Sequence, residues 1–365
     1  MEKRLLITGG AGFIGSNFCR YYLNRYPHST LVVIDALTYA GNKNSLAGLE
    51  KYDEFQFIHG DIKDVTCVKQ IMMDNHINTI VHFAAESHVD RSIIDPDAFI
   101  QTNIIGTHSL LQAAKSLWVD NQQGLPHHRF HHISTDEVYG SLESEELPFN
   151  ETTPYAPNSP YAASKAGSDH LVRAYSRTYG LDITISNCSN NYGPYHFPEK
   201  LIPLTIVNIL HNKPIPIYGD GLQIRDWLYV DDHCRGITDI LNNGNSGESY
   251  NIGGCNEWAN IDIVTLICKI VDDAFISRPE FLKIYPHSAP ALGRTSFELV
   301  RYVSDRLGHD RRYAINAAKI TNELGFKPSI DFPAGIRKTI FWYLENPEWW
   351  RSIMDGSYTQ LTNNI

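Results

Sequence analysis

The run Ser134-Thr135-Asp136-Glu137-Val138-Tyr139-Gly140 sets a hydroxyl and two adjacent carboxyls directly after Arg129-Phe130-His131-His132-Ile133. The latter reads as the end of a buried strand. In open parallel sheets, ligands bind beyond the carboxyl ends of the strands. A Thr-Asp-Glu triplet at such an end is therefore placed for proton transfer on a bound molecule. Downstream, Ser159 and Pro160 suit the cap and first position of a helix. That helix carries Tyr161 and Lys165 four apart on one face. An ammonium beside a phenol favours the phenolate and lowers its pKa, so this pair is expected to make Tyr161 a base near neutral pH. Two carboxyls in one small site divide acid and base roles when their surroundings push their pKa values apart.

These groups need a scaffold, and the N-terminal part supplies one. Arg4-Leu5-Leu6-Ile7-Thr8 reads as a strand entering Gly9-Gly10-Ala11-Gly12-Phe13-Ile14-Gly15 and then a helix. Gly10-x-Gly12-x-x-Gly15 has the spacing that admits a tight turn, close approach of backbone to pyrophosphate and close helix–strand packing. The pyrophosphate would sit at the helix N-terminus. A second strand, Leu31-Val32-Val33-Ile34-Asp35, ends in an acid at the separation expected for a ribose-binding carboxylate. Strands at 55–58 and 79–83, a long helix from about Asp97 to Ser116, and a strand at 183–188 continue the alternation. The fold class expected is α/β: a Rossmann-like doubly wound parallel sheet with a smaller α/β substrate-binding lobe.

After Gly193, prolines at 194, 198, 203, 214 and 216 break the chain into short runs. Residues 1–192, also receiving 226–256, are expected to form the dinucleotide-binding lobe. Residues 193–225 and 257–365 are expected to form the second lobe. The stretch Ile276–Arg294, with three prolines, reads as a long loop or insertion.

With 365 residues, 42% hydrophobic and 20% charged, the chain is large enough for two lobes and ordinary for a globular protein. A net charge of −10 argues against nucleic acid or an acidic membrane as partner. Six cysteines without paired spacing read as reduced thiols. With the glycine loop so near the start and no long apolar run, no signal peptide and no membrane span are expected, and a cytoplasmic location is. His127, His128, His131 and His132 are not expected to bind a metal, since two sit in a loop and two alternate across a strand. The C-terminal Trp342, Tyr343, Trp349 and Trp350 read as core or interface aromatics.

Taken with Ala84-Ala85-Glu86-Ser87-His88-Val89-Asp90-Arg91-Ser92, Asn187 to Pro203, Gln223-Ile224-Arg225-Asp226-Trp227 and Asp305-Arg306-Leu307-Gly308-His309-Asp310, these motifs carry a resemblance. The chain resembles the extended short-chain dehydrogenase/reductases, and within them the dTDP-glucose 4,6-dehydratases, from the glycine loop nearly to the C-terminus. Related 4-epimerases and nucleotide-sugar decarboxylases share Tyr-x-x-x-Lys and usually lack the Asp-Glu pair. The resemblance implies a catalytic set of Thr135, Asp136, Glu137, Tyr161 and Lys165. It implies NAD contacts at Gly9, Gly12, Phe13, Ile14, Gly15, Asp35, Ala36, Leu37, Thr38, Asp61, Ile62, Phe83, Ala84, Ala85, Glu86, Ser87, Thr102, Tyr161, Lys165 and Asn191. Substrate contacts are implied at Ser87, Thr135, Asn190, Lys200, Leu201, Pro216, Ile217, Tyr218, Arg225, Asn260, Asp305, Arg306 and His309, with Lys200, Arg225 and Arg306 on the diphosphate. It also implies a homodimer, to which the apolar stripes of the Asp97–Ser116 helix and of the helix after Tyr161 would contribute. Leu307 departs from the proline usual in the family. The activity implied is conversion of a nucleotide-bound glucose to its 4-keto-6-deoxy form, the alternatives being another nucleotide-sugar dehydratase or a 4-epimerase. A non-catalytic NAD-binding protein of the same fold is opposed by the retained Thr135, Tyr161 and Lys165.

Overall fold

The computed structural model describes residues 3–121, 127–305 and 309–358. Its strands in chain order are β1 (Arg4–Thr8), β2 (Thr30–Asp35), β3 (Phe55–His59), β4 (Thr79–His82), β5 (Arg129–Thr135), β6 (Ile183–Cys188), β7 (Asn190–Tyr192), β8 (Ile215–Tyr218), β9 (Ile224–Tyr229), β10 (Ser249–Ile252), β11 (Glu257–Ala259), β12 (Val300–Val303) and β13 (Arg312–Tyr313). Seven form one sheet in the order β10-β6-β5-β4-β1-β2-β3. Every pairing in it is parallel. The order reverses between β1 and β4, which puts a crevice at their carboxyl ends. Every residue of β2, β4 and β6 is buried, as expected when helices cover both faces. On one face Phe18, Leu23, Ile237 and Leu241 pack with Leu5 and Ile7; on the other Val68, Leu110 and Val172 pack with Leu6 and Ile80.

A third core joins the helices Leu201–Leu210, Asn260–Ser277 and Phe332–Glu345, with Trp350 among its buried side chains. Trp342 and Trp349 lie against it, and Trp349 Nε1 donates to Ser45 Oγ at 3.1 Å. β9 pairs with β7, β11 and β13, while the helix Val230–Asn243 that follows it packs under the large sheet and β10 joins that sheet's edge.

Two expectations need correction. Ile276–Arg294 is not a loose insertion. The Asn260–Ser277 helix runs into it, a short helix Glu280–Ile284 follows, and Phe281, Tyr285 and Ala289 are buried in the third core. The prolines punctuate this segment: Pro279 precedes the short helix and Pro290 begins a single 3₁₀ turn. The Asp97–Ser116 helix is part of a longer helical run from Pro96 to Asp120, widened to π-type turns at Ile100–Gly106 and Lys115–Asp120. The first π turn carries Thr102 and Asn103 to the exit of β4, where Asn103 brackets the backbone N–H and C=O of Glu86. π turns concentrate at such places.

Among the described residues no helix is long and apolar enough to cross a membrane. None of their His, Cys, Asp and Glu side chains form a metal-binding group. All six cysteines are free.

Candidate active site

At the exit of β5 the chain turns through Asp136–Tyr139, a 3₁₀ turn opened by Thr135. Thr135 Oγ1 accepts from Glu137 N and donates to Asp136 Oδ1, both at 3.3 Å. Gly140 closes the turn at φ 100°, and a Cβ there would meet Ala156 O at 2.6 Å, so only glycine fits. The helix Pro160–Tyr179 begins as the sequence suggests: Ser159 Oγ accepts from Ala162 N at 3.1 Å with Pro160 in the first turn. Its face against the sheet buries Tyr161, Lys165 and Asp169. Lys165 Nζ donates to Ile133 O at 2.7 Å, tying the helix to the strand that carries Thr135.

The electrostatics divide the carboxyls. Asp136 is 2% exposed and its Oδ2 makes no hydrogen bond among the described residues. Burial, reinforced by the nearby Glu137 and Asp226, pushes its pKa well up. The same burial favours the protonated form of Asp136, while Glu137 lines the cleft. The expectation for Tyr161 is reversed in the protein alone. Burial, with Glu137 and Cys188 adding to it, drives the phenol well above its ordinary value, and only the Thr135 hydrogen bond works the other way among its main neighbours. Lys165 shows the cost of its own burial, which brings its pKa down to about 8. Desolvation of the phenol outweighs any pull from the neighbouring ammonium.

The dinucleotide side is shaped by backbone. A Cβ on Gly9 would meet Ala84 backbone at 2.6 Å, and one on Gly15 would meet Gly9 O at 2.4 Å. The helix Phe13–Arg25 starts at Gly12 with no side-chain cap, so its first N–H groups face outward as an anion cradle. Asp35 accepts from Ala11 N and Leu37 N at 2.8 Å each. Each carboxylate oxygen keeps a further lone pair for a sugar hydroxyl. The residues present fit a dinucleotide.

Both sides open into one cleft of about 520 Å³. Every residue expected at NAD lines it except Leu37, whose φ of 50° turns it out while its N–H serves Asp35. Of the expected substrate residues, Ser87, Thr135, Asn190, Lys200, Leu201, Pro216, Tyr218, Arg225, Asn260 and His309 line it. Ile217 does not, because alternation along β8 sends it into the third core. Asp305 stands back from the cleft and holds His309 Nδ1 at 2.6 Å. Arg306 and Leu307 lie outside the described residues. Asn190 Oδ1 is buried and makes no hydrogen bond among the described residues. Arg225 is held by carbonyls of Ile224 and Asp310 and lies over the Tyr313 ring at 4.3 Å. Tyr313, Glu199 and His196 line the cleft without having been singled out. His196 stacks on Phe13 at 4.3 Å. Their only signal was proximity to the quoted stretches, since an aromatic's orientation cannot be read from its position in the chain.

The family model described as GDP-mannose 4,6 dehydratase matches residues 6–339. A dTDP-glucose 4,6-dehydratase of Escherichia coli is 52% identical over 367 residues, 97% of each chain. The chain belongs to this family, among the dTDP-glucose 4,6-dehydratases. The enzyme of that name from Neisseria meningitidis serogroup B is 50% identical over 359 residues, 98% of this chain and 97% of the relative. The crystal structure of the dTDP-glucose 4,6-dehydratase DesIV from Streptomyces venezuelae, solved with NAD bound, superposes with a TM-score of 0.84 at 44% identity. It covers 96% of this chain and 99% of its own.

Proposed function

We propose that the protein is an NAD-dependent hydro-lyase that converts dTDP-glucose to dTDP-4-keto-6-deoxyglucose and water. The observation that carries this reading is the meeting of Thr135, Glu137, Tyr161 and Lys165 on the cleft that also contains the glycine cradle, with the buried Asp136 bonded to Thr135 beside them. The names of the half-identical relatives support it.

A hydrogen on carbon 5 of glucose is not acidic until carbon 4 is a ketone, so the dehydration needs a transient oxidation. When bound, NAD supplies the reversible hydride acceptor and a positive ring that offsets the rise in the Tyr161 pKa. Gly9, Gly12, Gly15 and Asp35 would hold it. Tyr161 takes the proton of the 4-hydroxyl, and the Thr135 hydroxyl holds that oxygen. Glu137 removes the proton from carbon 5, now α to a carbonyl. Asp136 gives its proton to the departing 6-hydroxyl, for which a carboxyl kept neutral by burial is suited. The hydride removed from carbon 4 would then return to carbon 6 and a proton to carbon 5, so that the 4-keto-6-deoxy sugar forms with no net change in the cofactor. Lys200 and Arg225, with Arg306, meet the diphosphate through charge-assisted hydrogen bonds.

The proposal extends to two lobes, 1–192 with 226–256 for NAD and 193–225 with 257–365 for the sugar nucleotide, and to a cytoplasmic homodimer. Ile100, Ile105 and Tyr179 leave apolar surface on the two helical elements expected at that interface. Incubation of the purified protein with dTDP-, UDP-, GDP- and CDP-glucose, followed by product mass, tests the activity. A keto-sugar lighter by one water from dTDP-glucose is expected. A product of unchanged mass would make the protein an epimerase.

A further inference from the structure

Behind Lys165, one turn further along the same helix, lies Asp169. Its side chain is 0% exposed and does not line the cleft. Asp169 Oδ2 accepts from Ser134 Oγ and from Tyr155 OH, both at 2.8 Å. His132 Nε2 stands 3.2 Å from Oδ1 and 3.1 Å from Ser168 Oγ. The Ser168 hydroxyl proton is already given to Lys165 O at 2.7 Å, so His132 Nε2 must carry the proton it donates to Ser168, with Asp169 Oδ1 beside it. A fully buried carboxylate is unfavourable without a counter-charge. Arg173 hydrogen-bonds the network through Tyr155 OH, at 3.2 Å, and its charge also bears on Asp169.

We propose that Asp169 is a positioning residue for the proposed oxidation: its buried carboxylate is the counter-charge that keeps Lys165 an ammonium, and its bonds to Ser134 and Tyr155 brace the strand end carrying Thr135. The inference rests on the reading of Tyr161 and Lys165 as the oxidising pair. The groups that face Lys165 are few. From its own helix come Tyr161 and Asp169; from β4, His82; from β5, His132; from β6, Cys188. Burial pushes the Cys188 thiol up to about 12 and holds His132 down to about 4, with His82 also well below its usual range. All three are neutral at pH 7, and the Tyr161 phenol is too. Burial alone would raise the Asp169 carboxyl, yet the His132 hydrogen bond and the charges around it leave it below its ordinary value. Asp169 is therefore the charged member of the set. A neutral strut of the same shape would supply the hydrogen bonds and not the charge.

Asp169→Asn separates these roles. Lys165 loses its proton as pH rises through its folded value, so the rate of NADH formation on mixing holoenzyme with dTDP-glucose should fall on the alkaline side. An opposite charge within about 4–6 Å moves such a group by about 1 to 3 units, and a partner one helical turn away acts at the lower end of that span. The alkaline limb of Asp169→Asn should therefore shift towards acid by at least about one unit, whereas Ser134→Ala should leave it in place. A second readout is independent of turnover: thermal denaturation of Lys165→Met, Asp169→Asn and the double variant. The double variant should lose less than the sum of the single losses, because neither charge is left alone. If Asp169→Asn does not fold, folding of the double variant supports the proposal and its failure to fold overturns it. An unmoved limb with additive losses of Tm also overturns it. A wild-type holoenzyme that forms no NADH on dTDP-glucose would count against the proposed reaction instead, while its thermal cycle would still judge the ion pair.

Discussion

On the dinucleotide side of the cleft the backbone makes the site, and on the sugar-nucleotide side distant side chains do. Gly9, Gly12 and Gly15 lie within one turn-and-helix unit, and the Cβ that any other residue would add at Gly15 falls 2.4 Å from a carbonyl oxygen. Facing them, Lys200 comes from the start of the helix Leu201–Leu210, Pro216 and Tyr218 from β8, Arg225 from β9, and Asn260 and His309 from still later segments. The first arrangement admits few residue types and survives as a motif. The second depends on tertiary packing for every contact, and each residue is one of several donors. Single changes should therefore act sharply on one side and by degrees on the other.

The largest effect is expected where the two sides meet. Tyr161→Phe removes the base from the proposed oxidation, which typically costs ~10²–10⁴ in rate. Rapid mixing with dTDP-glucose should show no early NADH absorbance, and a normal burst would assign the base elsewhere. Next comes Gly15→Ala. Its neighbour is a backbone carbonyl rather than a flexible side chain, so the cost should reach the upper end of overpacking, about 3 kcal/mol. Calorimetry should then find NAD binding weaker by about a hundredfold, with substrate-side variants retaining NAD normally. The smallest effect is expected from Lys200→Met. Lys200 is half-buried and also donates to Ser87 O at 3.1 Å. Losing one charge-assisted contact there should cost about 1.5 kcal/mol, read as about tenfold in KM with kcat unchanged. A fall in kcat instead would mean that Lys200 acts in the transition state and would blur the division between the two sides.

The same division governs what the sequence discloses. The strand–glycine–helix unit, Asp35 and the capped helix of Tyr161 are local patterns, and each is found where the spacing puts it. Leu37 and Ile217 are contacts that the family resemblance implies, and their side chains lie off the cleft, one at a left-handed turn and the other by strand alternation. The Tyr161 pKa is hidden from the sequence for a related reason. Its spacing to Lys165 is visible in the chain, but the desolvation of both groups and the proximity of Glu137 and Cys188 arise only on folding. The prolines of 276–294 suggested a loop because the burial of Phe281 and Tyr285 depends on helices far away in sequence.

The central claim is that oxidation and elimination are performed by different residues on one cleft, and Glu137→Gln tests it most directly. Thr135, Tyr161 and Lys165 remain in this variant, so NADH should form on mixing with dTDP-glucose and then persist. The carbon-5 proton loses its base. Its exchange with heavy water and the release of water from carbon 6 should both slow by ~10²–10⁴. Exchange of that proton at the wild-type rate, with NADH decaying normally, would contradict the account.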